Sequence, residues 1–144
     1  MPYTNKKRRN VLLEHCGDLN QTISSQCGKY ILLKGERYQH YNDVMSVLSR
    51  VEKYIDSYPE GCSYRIIDPE DTPQTKKELY DNVLYICLRY RELNGDEDID
   101  GALRGAGAEI YRRLIGPYED LAIAKNGDLD EYAEILKKRE VKNG

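Results

Sequence analysis

Residues 42–58 read Asn-Asp-Val-Met-Ser-Val-Leu-Ser-Arg-Val-Glu-Lys-Tyr-Ile-Asp-Ser-Tyr, and Pro59 follows. The apolar side chains Val44, Val47, Leu48, Val51, Ile55 and Tyr58 recur by threes and fours. That spacing places them on one face of an α-helix, whereas a half-buried strand would alternate every second residue. Asn42 or Asp43 can cap the start and Pro59 stops the end. The pattern then returns. Asp43, Val44, Val47, Leu48, Val51 and Ile55 recur as Asp98, Ile99, Ala102, Leu103, Ala106 and Ile110, a shift of 55 residues. Upstream, Ile23, Cys27 and Tyr30 recur as Val83, Cys87 and Tyr90, a shift of 60. The difference falls in a loop, where length changes cost little.

Two tandem helix–loop–helix units, about 18–58 and 78–115, account for this repeat. Neither can bury its apolar faces alone, so the expected solution packs one on the other, with terminal helices covering the ends. In the first unit Asp18 caps a helix carrying Leu19, Ile23, Cys27, Tyr30 and Ile31, and Gly35 ends it. Residues 59–73 form a loop punctuated by Pro59, Gly61, Pro69 and Pro73, and Tyr64-Arg-Ile-Ile67 within it is too short to assign. Thr72 caps the next helix with Pro73 at its first position, and Asn94-Gly95 closes it. Asp96 or Asp98 opens a helix that Gly116-Pro117 should break. A short helix from Pro117 to about Lys125 and a last one after Asn126-Gly-Asp128 follow, with Leu129, Tyr132, Ile135 and Leu136 inward and fraying after Lys137. The expected fold is all-α: a compact bundle of about six or seven helices in a single domain, residues 1–144, with C-terminal helices at 117–138.

Composition narrows the classes. The 144 residues are 40% hydrophobic and 33% charged, as in a soluble globular chain that needs no metal or disulfide to fold. The 13 tyrosines stand with no Phe or Trp, so every aromatic ring carries a hydroxyl that wants a partner when buried. A net charge of −3 argues against a general nucleic-acid binder. The one basic run, Lys6-Lys-Arg-Arg9, reads as a solvated N-terminal arm. Cys16, Cys27, Cys62 and Cys87 form no C-x-x-C pair, and His15 and His40 have no metal-ligand spacing to them, so no metal or cofactor is expected. No apolar run reaches membrane-spanning length, and a cytoplasmic location follows as the expectation. Gly101, Ala102, Gly105, Ala106, Gly107 and Ala108 leave one helix almost bare, which suits either close helix packing or a shallow cavity.

The chemistry concentrates in Glu109-Ile-Tyr-Arg-Arg-Leu-Ile-Gly-Pro-Tyr-Glu-Asp120. The candidate binding residues are Tyr111, Arg112, Arg113, Tyr118, Glu119 and Asp120, gathered around the expected corner at Gly116-Pro117. Structural roles are one reading: Glu109 and Arg113 form a favourable i,i+4 pair, and arginines suit a last helical turn. Anion recognition is the other. Guanidinium forks match phosphate, the phenols can stack on a base, and the carboxylates can accept from ribose hydroxyls.

Several short motifs resemble a family of short uncharacterised phage and bacterial proteins. They are Met1-Pro-Tyr3, Gly17-Asp-Leu-Asn20, Arg37-Tyr-Gln39, Asn42-Asp-Val44, Tyr111-Arg-Arg113, Pro117-Tyr-Glu-Asp120 and Asn126-Gly-Asp128. The middle departs from that family: residues from about 55 to 98 look inserted, and the first unit has Asp56-Ser-Tyr58-Pro59 where Tyr-Arg-Arg would stand. The resemblance implies an all-α fold and a phage or prophage origin, and no established activity. The functional expectation is a non-enzymatic, homo-oligomeric binder that sequesters a small nucleotide-like signalling molecule against host defence. The alternative is an inhibitor docking on a host defence or regulatory protein. No catalytic arrangement or phosphate loop is visible.

Overall fold

The computed structural model describes residues 16–95 and 98–143. Of these, 79% are helical and none lies in a strand, so the fold is all-α. The helices are α1 (Cys16–Lys34), α2 (Tyr38–Tyr54) with a 3-10 turn at Ile55–Ser57, α3 (Lys76–Asn94), α4 (Ile99–Ile110), a π turn at Tyr111–Ile115, α5 (Gly116–Asn126) and α6 (Asp130–Asn143). Helical residues run without interruption from Ile99 to Asn126, so the described residues form five continuous helical segments. Among the described residues the expected six or seven is not quite matched, because Gly116-Pro117 does not end a helix. By contacts the chain divides into two compact units, Met1–Ile110 and Tyr111–Gly144.

In the first unit α1 packs on α3 and α4, α2 packs on the same two helices, and α1 touches α2. The first helix of each repeat therefore lies on the second helix of the other. The repeated stripe is the core: Ile23, Cys27, Val44, Val47, Val51, Val83, Cys87, Leu103 and Ala106 are all buried. Each fully buried aliphatic side chain contributes roughly 1.5–3 kcal/mol. The small residues of α4 serve close packing. A Cβ on Gly105 would lie 2.7 Å from the Asn20 side-chain nitrogen on α1, and one on Gly107 would meet Met45 of α2 at 3.4 Å. The Asn20 amide donates to the Ala102 carbonyl at 3.3 Å, closing that approach with a hydrogen bond.

Several element ends differ from the sequence reading. Asp18 lies inside α1, buried, and does not cap it. Helix α2 begins at Tyr38 after an extended Arg37, ahead of Asn42 and Asp43. Tyr41 joins its buried face, and Asp43 instead accepts from the Tyr30 hydroxyl at 2.8 Å. The cap of α3 is Thr75, with Thr72 left in the loop: its hydroxyl accepts from the Glu78 N–H at 3.1 Å, and Glu78 accepts from the Gln74 N–H at 2.7 Å. Those bonds satisfy two N–H groups at the helix start, and Thr75-Lys-Lys-Glu78 has the spacing of a capping box. Gly35 and Gly95 do end α1 and α3, each in the left-handed region at φ +95° and +81°. Asp98 directly precedes α4, while Asp96, Lys6–Arg9 and His15 lie outside the described residues.

The loop between the repeats is tied down from beneath. The fully buried Gln26 of α1 donates through its amide to the carbonyls of Pro69 and Asp71, and accepts from the Asn82 amide of α3 at 2.9 Å. Lys29 adds a bond to the Glu70 carbonyl at 2.8 Å.

The tyrosines shape the pH response. Burial, then the bond to Asp43 and its charge, pushes the Tyr30 phenol up to about 12. Burial, then the bond to Glu92, does the same to Tyr64, and burial with the bond to Tyr58 does so to Tyr80. The folded state thus holds these protons more tightly than the unfolded chain. Their contribution is intact below the ordinary phenol value near 10 and is lost as pH rises through about 12. Chemical denaturation at stepped alkaline pH should show stability falling across that window. The Tyr30→Phe variant should fall less steeply.

In the second unit the π turn runs directly into α5. Leu129, Tyr132, Ile135 and Leu136, expected to face inward, are instead exposed, and every side chain from Leu129 to Lys142 is exposed. Helix α6 continues through Asn143 where fraying was expected after Lys137. Its residues, rich in Glu and Lys, favour helix without requiring a buried face.

Candidate ligand-binding site

The candidate residues lie on the π turn and the first turns of α5. Proline has no N–H, and its ring clashes with the carbonyl four residues back in an α-helix. Before Pro117 that carbonyl belongs to Arg113, inside the π turn. A wider turn relieves the clash, so the chain bulges where a break was expected. Gly116 fits the same turn: a Cβ there would stand 3.2 Å from the Tyr111 carbonyl oxygen, five residues back. Single-turn π bulges inside α-helices occur frequently at functional sites.

The bulge brings Tyr111 to Glu119: the phenol donates to Glu119 Oε2 at 3.1 Å. That bond, then the Glu119 charge, then burial and the charge of Asp120, raise the Tyr111 phenol above its ordinary value. Tyr111 is accordingly a neutral donor with half its surface exposed. Arg112, Arg113 and Asp120 are exposed, while Tyr118 and Glu119 are half-buried. Two guanidinium groups, two carboxylates and two phenols thus lie within residues 111–120 of one continuous helical segment, and the Tyr111–Glu119 bond links its two ends. The arginines offer planar forks to an anion, and the carboxylates accept from hydroxyls. Glu119 keeps acceptor capacity beyond Tyr111, because a carboxylate has about four lone-pair sites.

A separate groove of about 430 Å³ lies in the first unit, lined by Glu60, Gly61, Cys62, Tyr64, Leu88, Arg91, Glu92 and Gly95. The sequence reading did not find it, and it contains none of the six candidate residues. Its charged groups hold the loop. Tyr64 donates to Glu92 at 2.6 Å, Arg89 donates to the same carboxylate at 3.0 Å, and Arg91 donates to the carbonyls of Ile55 and Pro59. The bonds from Tyr64 and then Arg89 hold the Glu92 carboxyl below its ordinary value. The available signal was the i,i+3 spacing of Arg89 and Glu92 opposite a proline-punctuated loop.

Cys27 and Cys87 are buried, and burial pushes the Cys27 thiol up to about 12 and raises that of Cys87 as well. Both pack as small hydrophobes with little thiolate character. Among the described residues no group of three or more His, Cys, Asp or Glu side chains could hold a metal ion. Among the same residues no helix is long and apolar enough to cross a membrane. No family model, curated protein or solved structure matches the chain.

Proposed function

We propose that the protein is a phage or prophage product that captures a small nucleotide-like signalling molecule in the host cytoplasm without transforming it, so blunting a defence response. The observation that carries this reading is the Tyr111–Glu119 hydrogen bond, made from the π turn that also carries Arg112 and Arg113. In this reading the two arginines hold phosphate, Tyr111 or Tyr118 stacks on the base, and Glu119 or Asp120 accepts from the ribose. A helical face is not concave, and small-molecule sites are. The opposite wall therefore comes from a second subunit.

Thermal-shift measurement against cyclic dinucleotides and ADP-ribose derivatives tests the proposal. A ligand at a hundredfold excess over its Kd stabilises by about 2.7 kcal/mol. For a chain of this size that raises the melting temperature by several degrees. At least one member of the panel should do this, and Arg113→Ala should abolish the shift while melting normally without ligand. A second reading, docking on a host protein, is favoured by one observation: Tyr111 and Leu114 are 50% and 38% exposed beside the two arginines. Tyrosine and arginine are enriched in interface hot spots. A silent panel together with recovery of a host protein by pull-down decides for that reading.

A further inference from the structure

We propose that the Arg65–Ile66 bond is a proteolytic processing site, at which an endoprotease of arginine specificity cuts the folded chain into two fragments that stay assembled. Residues 62–68, between α2 and α3, lie in no helix, strand or turn. Among the described residues no hydrogen bond holds the N–H and C=O groups of residues 63–67. The Arg65 side chain is exposed and likewise makes no hydrogen bond or ion pair among them. Ile66 beside it is 81% exposed. An endoprotease takes the segment it cuts as an added strand, through backbone donors and acceptors, with one side chain in a pocket. A carboxylate in such a pocket holds a guanidinium by paired hydrogen bonds. Backbone already committed to a helix cannot be taken this way, so exposed loops are the preferred places for a nick.

Position singles out this bond. Among the described residues Arg37 and Arg65 are the two basic residues outside helices. Arg37 ends the short link 35–37, and its carbonyl accepts from the N–H groups of His40 and Tyr41 as α2 begins. Arg65 stands within the stretch 58–75, with several residues on each side free to enter a cleft. The step needs only water, which adds across the amide: Arg65 keeps a carboxylate and Ile66 an ammonium group. Each product then carries one repeat, α1 with α2 or α3 with α4, and the repeats pack on one another. The hydrogen bonds flanking the site all cross it. Tyr64 donates to Glu92, Arg91 to the Pro59 carbonyl, Gln26 to the Pro69 and Asp71 carbonyls, and Lys29 to the Glu70 carbonyl. Each joins one product to the other, so both new ends stay tied. This proposal stands without the ligand-binding reading, because it rests on residues of the first unit alone.

Limited digestion of the native full chain with trypsin, read by intact mass, tests it. The first cut between residues 16 and 143 should yield one fragment ending at Arg65 and one beginning at Ile66. Size-exclusion chromatography without denaturant should elute the two together, at the volume of the uncut chain, and urea should separate them. Arg65→Gln should slow that first cut at least about tenfold, because the basic residues within helices are reached only through local unfolding. Arg65→Lys should keep the cut, since trypsin accepts either cation. Both variants should unfold at the wild-type urea concentration, which separates loss of the site from loss of the fold. A first cut at any other bond between residues 16 and 143 overturns the proposal. So does a wild-type chain that resists trypsin until it unfolds, an Arg65→Gln chain cut as fast as wild type, or fragments that part without denaturant.

Discussion

Replacing Gln26 with alanine is expected to destabilise the protein by about 3 kcal/mol, measured as a lower midpoint of urea unfolding. Gln26 is fully buried, and its side chain bonds at once to the loop carbonyls of Pro69 and Asp71 and to the Asn82 amide. Truncation leaves that amide without its acceptor and the loop without its ties. A buried polar group stripped of its partner costs roughly 1–3 kcal/mol, and the cavity left by the side chain adds to this. The loss is a large share of a domain's usual 5–15 kcal/mol. Gln26→Glu gives a second readout. Its carboxylate would face two carbonyl oxygens with no proton to donate, so its folded-state pKa is raised. The variant should therefore be weak at neutral pH and recover as acidification returns the proton.

The second large effect is expected at Ala106. This residue is fully buried on α4 and stands where Val51 stands in the first repeat. The Cβ positions of its neighbours Gly105 and Gly107 lie against Asn20 of α1 and Met45 of α2, so the backbone of α4 comes close to both helices. Ala106→Leu adds three carbons where packing is already tight. Overpacking of this kind costs typically about 1–3 kcal/mol. The exposed Ala108 on the same helix is the control. Ala108→Leu should change the unfolding midpoint little, so a comparable loss at both positions would contradict the packing account.

The stripes of α1 to α4 were legible because they are redundantly written. Ile23, Cys27, Val44, Val47, Val51, Val83, Cys87 and Leu103 all sit at helical spacing, and one misread residue would not have moved the rest. Helix ends were less legible because polar residues compete for each cap. Thr72-Pro73 and Thr75-Lys-Lys-Glu78 both resemble starts, and the second has the hydrogen bonds, from the Glu78 N–H to the Thr75 hydroxyl and from the Gln74 N–H to the Glu78 carboxylate. Gly116-Pro117 misled for a different reason. Proline requires that the preceding turn not be α-helical, and a π turn meets that condition as well as a chain break does. Helix α6 shows a third limit. Its periodic apolar residues announce a face to be covered, and periodicity does not say whether the cover comes from the same chain.

The candidate site was legible as composition and less so as geometry. Tyr111, Arg112, Arg113, Tyr118, Glu119 and Asp120 were singled out by their density. The expected corner is a bulged helix, and the contact it produces, Tyr111 to Glu119 eight residues on, exceeds ordinary i,i+4 reach. The groove beside Tyr64 and Glu92 was missed because it depends on where a loop settles, and loop composition carries little of that information.

Calorimetric titration of wild type, Arg112→Ala and Arg113→Ala with the nucleotide giving the largest thermal shift tests the functional proposal most directly. The account predicts saturable binding to wild type and its loss in both variants, with all three proteins unfolding at the same denaturant concentration. Binding of equal strength in all three proteins, or no binding by wild type to any nucleotide of the panel, would contradict it.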